Sequence, residues 1–177
     1  FDLYMELLQE TIAEIQGQDI PLVEDTQIDL PITAFIPGDW ITDPDEKINA
    51  YRLASQCENN KSLVQFASNL TDRYGTLPKA VETLIEVMKL KIIAKKCGFS
   101  RIKLSKPNVE LETMMDEPAF KMLKKGLANH LHGRFIYKKG ARCSTVTIRG
   151  LGIVSSDKLL DQLYEWLKLM NLQINNQ

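Results

Sequence analysis

The hydrophobic period of this chain changes at Gly98. From about residue 40 to that glycine, apolar residues recur at helical spacing. Beyond it they alternate in short runs separated by turn residues, with helical patterns between and after them. Such a switch predicts an α+β fold in which a helical lobe (about 40–98) precedes a mixed lobe of antiparallel hairpins and helices (about 99–175). A length of 177 residues suits one ordinary domain or two small lobes.

Local signals place the helices. Asp43-Pro44-Asp45-Glu46 is a strong start: Asp43 can cap free N–H groups, Pro44 fits the first turn, and Glu46 stands at the capping-box position. That helix is expected to reach about residue 58. A second, over 62–73, puts Leu63, Phe66 and Leu70 on one face and stops at Gly75. A third runs from near Pro78 to Gly98. Its apolar face of Val81, Leu84, Ile85, Met88 and Ile92 is broadened by Val87, Ile93 and Ala94. Gly98 followed by Phe99 fits a left-handed cap.

Downstream, residues 101–104 and 109–112 alternate around Lys106-Pro107-Asn108, predicting a hairpin. Asp116 and Pro118 open a short helix bearing Phe120, Leu123 and Leu127. A second hairpin, 134–138 with 143–149, turns at Lys139-Gly140 and points Phe135, Tyr137, Val146 and Ile148 to one face. Ser156 or Asp157 is expected to cap a final helix carrying Leu159, Leu163, Trp166, Leu167 and Met170. Upstream, residues 3–15 read as an amphipathic helix stopped at Gly17, and residues 17–27 as a linker. Residues 28–36 read as a strand that Pro31 confines to an edge. The expected division is therefore 1–16, 17–27 and 28–177.

With 44% hydrophobic and 25% charged residues, disordered, collagenous and disulfide-scaffold classes are excluded. No apolar run approaches the ~18 residues of a membrane span. Cys57, Cys97 and Cys143 are odd in number and far apart, so a disulfide framework is not expected and a reducing cytoplasm is the simplest compartment. The chain opens on Phe1, inside a helical pattern and without a signal peptide, which reads as a piece of a larger protein.

The net charge of -1 conceals a polarised chain. Residues 1–86 hold 16 Asp/Glu against 5 Lys/Arg; residues 87–177 hold 7 against 17. From Val87 to Val109 no residue is acidic and seven are basic: Lys89, Lys91, Lys95, Lys96, Arg101, Lys103 and Lys106. These could form a phosphate-contacting strip for DNA, a surface for an acidic protein partner, or simply solvated faces.

Catalytic patterns are not found. The phosphate-loop pattern is absent, and Gly150-Leu151-Gly152 lacks a lysine at the required spacing. Neither Ser144 nor Ser155 has the setting of a nucleophile. His130 and His132 fall short of a zinc set of three or four ligands, and capping accounts for Asp43, Asp45 and Glu46. No catalytic residue, metal ligand or cofactor is therefore expected in this chain. Asp72-Arg73-Tyr74-Gly75 follows the second helix and reads either as a helix terminus or as an exposed, charged recognition turn.

Taken together, several stretches resemble one family. Phe1-Asp2-Leu3-Tyr4-Met5-Glu6-Leu7-Leu8 resembles the end of a translocase module. Leu30-Pro31, Phe35-Ile36-Pro37, Asp43, Tyr51-Arg52-Leu53-Ala54 and Asp72-Arg73-Tyr74-Gly75, with Leu77-Pro78, are similar in order and spacing to the C-terminal domain of bacterial transcription-repair coupling factors. The likeness covers residues 1–100. Thr42 stands where the family often has proline, and Asn69 where it is often acidic. The resemblance implies a non-catalytic regulatory domain of an ATP-dependent double-stranded DNA translocase that acts on stalled RNA polymerase. It implies docking on an N-terminal UvrB-like module through Asp72 and Arg73, with Asn69 beside them, so that UvrA binding is masked and the motor restrained. ATP and Mg would belong to the parent protein's motor. A nucleic-acid-binding accessory domain using the basic stretch 89–106 is the alternative.

Overall fold

The computed structural model describes residues 20–175. The helix expected over 3–15 and its stop at Gly17 lie outside the described residues.

Three helices fill the first lobe: α1 (Pro44–Ser55), α2 (Asn60–Tyr74) and α3 (Lys79–Lys96). Asp43 caps α1 as expected, its Oδ1 accepting from the Asp45 N–H at 3.0 Å. α1 ends at Ser55, short of residue 58, and α2 begins at Asn60, ahead of residue 62. The reason is a capping box with serine in the place of the usual Glu or Gln. The Ser62 N–H donates to Asn59 Oδ1 at 2.8 Å, and the Asn59 N–H donates to Ser62 Oγ at 3.3 Å. Gly75 ends α2 with φ +90°, a value that disfavours any residue with a Cβ.

Beyond Gly98, whose φ is +86°, the chain enters the sheet. β2 (Phe99–Ser105) and β3 (Asn108–Thr113) form the first hairpin, with Ser105 opposite Asn108. β4 (Phe135–Lys138) and β5 (Ser144–Ile148) form the second, pairing Phe135 with Ile148 and Tyr137 with Val146 on the inward face. Upstream, β1 (Gln27–Asp29) adds a parallel edge strand to β2, so the sheet order is β1-β2-β3-β5-β4. The expected strand over 28–36 stops at Asp29, two residues before Pro31, which has no N–H to offer a ladder. Helix α4 (Glu117–Lys124) is capped by Asp116, which accepts from the Ala119 N–H at 2.9 Å. α5 (Ser156–Asn175) starts one residue early: the Ser155 carbonyl accepts its first bond, from Leu159 at 2.8 Å, while the Ser156 hydroxyl donates to the Pro31 carbonyl at 3.1 Å.

Two apolar cores result. One joins α1, α2 and part of α3 around Ile36, Leu63, Phe66, Leu70 and Val81. The other lies between the sheet and α3, α4 and α5, around Phe99, Leu111, Phe120, Val146 and Leu163. α3 belongs to both: Val81 and Ile92 enter the first, while Leu90, Ile93 and Ala94, with Cys97 just past its end, enter the second. Its broadened apolar face is two faces, one for each core. Ile20, Pro21 and Thr26 lie against the second lobe. A Cβ on Gly98 would meet Ile20 Cγ2 at 3.0 Å, and buried Thr26 donates its hydroxyl to the Phe99 carbonyl at 2.7 Å.

Candidate docking face

The turn singled out in the sequence is the last turn of α2. Asp72 is exposed and makes no ion pair or side-chain hydrogen bond among the described residues. Asn69, also exposed, accepts from Gln65 Nε2 at 2.9 Å. Arg73 is engaged within the domain: its Nη2 lies 2.6 Å from Glu46 Oε1, although the arginine side chain is 63% exposed. The other oxygen of Glu46 accepts from the Tyr74 hydroxyl at 2.9 Å. Tyr74 also packs on Trp40, with ring centroids 5.5 Å apart, and the Arg73 guanidinium lies 5.4 Å from the Tyr74 ring centre. Desolvation, and then the bond to Glu46, raise the pKa of the Tyr74 hydroxyl, which keeps it a donor.

Glu46 thus ties the first turn of α1 to the last turn of α2. Sequence reasoning gave it only a capping role, because nothing local links it to residues 27 and 28 positions away. The buried Nε1 of Trp40 has no acceptor among the described residues. Tyr51 clamps the incoming chain by accepting from the Ile36 N–H at 2.7 Å. Arg73 and Tyr74, which carry part of the family resemblance, are thus both tied to Glu46. The turn presents a carboxylate at Asp72, a guanidinium at Arg73 that is held by Glu46 although its side chain is 63% exposed, and an amide at Asn69.

The basic stretch is dispersed, and four of its seven cations face carboxylates. Lys89 lies 3.9 Å from Glu86 and 4.4 Å from the centre of the Tyr164 ring. Lys91 faces Asp25 at 4.0 Å, and Arg101 Nε binds Asp29 at 2.5 Å. Lys103 sits between Glu110 at 3.4 Å and Glu112 at 3.7 Å. The last two sit on the outer face of the sheet, where the register lays out two cross-strand rows: Gln27, Arg101, Glu112, Thr145, Lys138 and Asp29, Lys103, Glu110, Thr147, Ile136. Opposite charges alternate there, and no aromatic residue stands in either row to stack a base. Lys95 and Lys96 remain exposed at the C-terminus of α3, where cations favour the helix dipole, and Lys106 is exposed in the hairpin turn.

The remaining candidates have structural places. His132 Nε2 lies 2.9 Å from the Leu127 carbonyl. Among the described residues no three His, Cys, Asp or Glu side chains gather as a metal site would require. Gly150 and Gly152 close the β5–α5 turn against the first hairpin, their N–H groups donating to Asn108 Oδ1 at 3.0 Å and to the Pro107 carbonyl at 2.9 Å. Cys97 is buried, and burial pushes its thiol up to about 12, which removes it as a nucleophile. None of the helices among the described residues is long and apolar enough to cross a membrane.

The fold is that of an α+β domain, with an exposed, charged helix terminus at the end of α2. The TRCF domain model matches residues 30–122, and the chain belongs to that family. Transcription-repair-coupling factors are among its relatives. That of Myxococcus xanthus is 36% identical over 92 residues, covering 52% of this chain and 8% of the relative. That of Bacillus subtilis (strain 168) is 32% identical over 112 residues, covering 63% and 10%. That of Escherichia coli (strain K12) is 28% identical over 107 residues, covering 58% and 9%. The chain thus spans about a tenth of the length of these curated relatives. A crystal structure of the C-terminal domain of a transcription-repair coupling factor superposes with a TM-score of 0.70 at 14% identity, covering 90% of this chain and 99% of the other. The expected α+β architecture is therefore that of a known domain.

Proposed function

We propose that this chain is a non-catalytic regulatory domain at the C-terminal end of a cytoplasmic DNA translocase that couples transcription to nucleotide-excision repair. It docks on the parent protein's N-terminal UvrB-like module, covers the surface that UvrA needs, and restrains the motor until RNA polymerase is engaged. The last turn of α2 is the contact, with Asp72 and Arg73 as its charged members and Asn69 beside them. ATP, Mg, RNA polymerase and double-stranded DNA are handled by the parent protein.

The observation that carries this reading is Asp72, exposed and without an ion pair among the described residues, on a turn tied to α1 by the Glu46 bonds to Arg73 and Tyr74. A preformed charged surface loses little conformational entropy on docking. Interdomain contacts of this polar kind are modest in area, so a partner can displace them. In the full-length protein, Asp72→Arg is expected to raise basal ATPase activity, UvrA binding or both. Unchanged values of both would overturn the docking assignment.

A further inference from the structure

A second surface lies on another flank of α2. Ala67 and Arg73 are six residues apart, about 120° around the helix. On the Ala67 side, α2, α3 and α5 meet along an open groove of about 430 Å³. Its floor is apolar, formed by Ala67, Leu77, Ile85 and Leu160. Its rims carry four acids and one cation, Lys79. Glu82 and Glu86 stand one turn apart on α3, and Asp157 and Asp161 stand one turn apart on α5. Like charges at this spacing disfavour a helix, and here two such pairs line one groove. Internal cations compensate only half of them. Lys79 reaches Asp157 at 4.0 Å with both side chains 74% exposed, and Lys89 reaches Glu86 at 3.9 Å while also covering the Tyr164 ring. Glu82 and Asp161 have no cationic partner among the described residues. α2 is tied to α5 beside the groove, because Asn60 donates to the Tyr164 hydroxyl at 3.1 Å.

We propose that this groove docks a basic, amphipathic segment of a partner protein. Lysine and arginine stems would lie on the apolar floor while their heads meet the free carboxylates at the rim, the arrangement long cationic side chains favour. Charge complementarity selects such a polypeptide and disfavours nucleic acid or an acidic segment. The groove is separate from the Asp72 turn and does not depend on it.

The test uses the 177-residue chain, isotopically labelled, titrated with a short helical peptide built of Leu and Lys. A control peptide carries Glu in place of every Lys. Saturable amide shifts are expected at Ala67, Leu77, Glu82 and Asp161 with the Lys peptide and not with the Glu peptide. The double variant Glu82→Lys with Asp161→Lys is expected to weaken binding by about tenfold or more, and Asp72→Arg to leave it unchanged. Both acidic positions are exposed, so native spectra are expected; Glu82→Gln with Asp161→Asn gives a milder second test. The proposal is overturned by the absence of saturable binding, by shifts centred on the Asp72 turn, or by unchanged affinity in both double variants. It is equally overturned if sedimentation shows the groove occupied by a second copy of the chain.

Discussion

Leu90→Ala is expected to destabilise both lobes together, although Leu90 touches only one core. Leu90 is fully buried in the core beneath the sheet. Truncating a buried leucine costs about 2–5 kcal/mol, more where the surroundings cannot collapse into the cavity. Here they are constrained, because α3 is packed on opposite sides by the two cores and cannot move toward one without leaving the other. We therefore expect about 3 kcal/mol. With a urea dependence of about 2 kcal/mol/M, the unfolding midpoint should fall by about 1.5 M. The two tryptophans report the lobes separately: Trp40 packs on the helical core and Trp166 lies in the sheet core. Biosynthetic labelling with fluorotryptophan gives one ¹⁹F signal for each. Both signals should move to the same lower midpoint in Leu90→Ala. The reciprocal change, Ile92→Ala, truncates the other side of α3 and should also move both. A Trp166 transition that shifts while that of Trp40 stays fixed would refute the idea that α3 is one wall shared by two cores.

Other consequences can be checked more simply. Gly98→Ala should lower stability by about 1–2 kcal/mol in urea denaturation, because alanine is strained at φ +86° and its Cβ would crowd Ile20 and Pro21. Asn59→Ala removes one half of the capping box and should cost about 1 kcal/mol by the same assay. Cys97 should resist a thiol reagent at pH 8 in the folded chain, since its ionisation is raised from 9.0 to about 12. The sign of the linkage follows. The unfolded thiol ionises near 9 and the folded one does not, so this contribution to stability is complete below pH 9 and is lost as pH rises toward about 12. A denaturation series across that window should show the fall, and Cys97→Ala should flatten it. Duplex DNA should bind weakly at about 0.1 M salt, because four of the seven basic residues already face carboxylates; a tight gel shift at that salt would contradict this.

Where structure depends on short-range chemistry, the residues announced it. The Asp43 cap, the Gly75 and Gly98 stops and the inward Phe135, Tyr137, Val146 and Ile148 all follow from spacing and backbone preference. The α2 start was placed late because Ser62 does the work usually done by Glu or Gln. The double allegiance of α3 was visible as an over-wide apolar face, but periodicity cannot say that two faces serve two cores. Long-range pairing was hidden altogether. Nothing near Glu46 points to Arg73 or Tyr74, and nothing near Lys91 or Arg101 points to Asp25 and Asp29. Those last pairs change the meaning of the polarised charge. Part of the basic stretch is matched, across the fold, by Asp25 and Asp29, which precede the helical lobe.

We propose that the last turn of α2 docks on the parent protein's UvrB-like module where UvrA would otherwise bind. The most direct test is equilibrium binding of the chain to that isolated module, with UvrA as competitor and Asp72→Arg as the altered partner. Docking through this turn predicts saturable binding that UvrA displaces and that Asp72→Arg weakens. Binding that persists unchanged in the presence of UvrA, or with arginine at position 72, would contradict it.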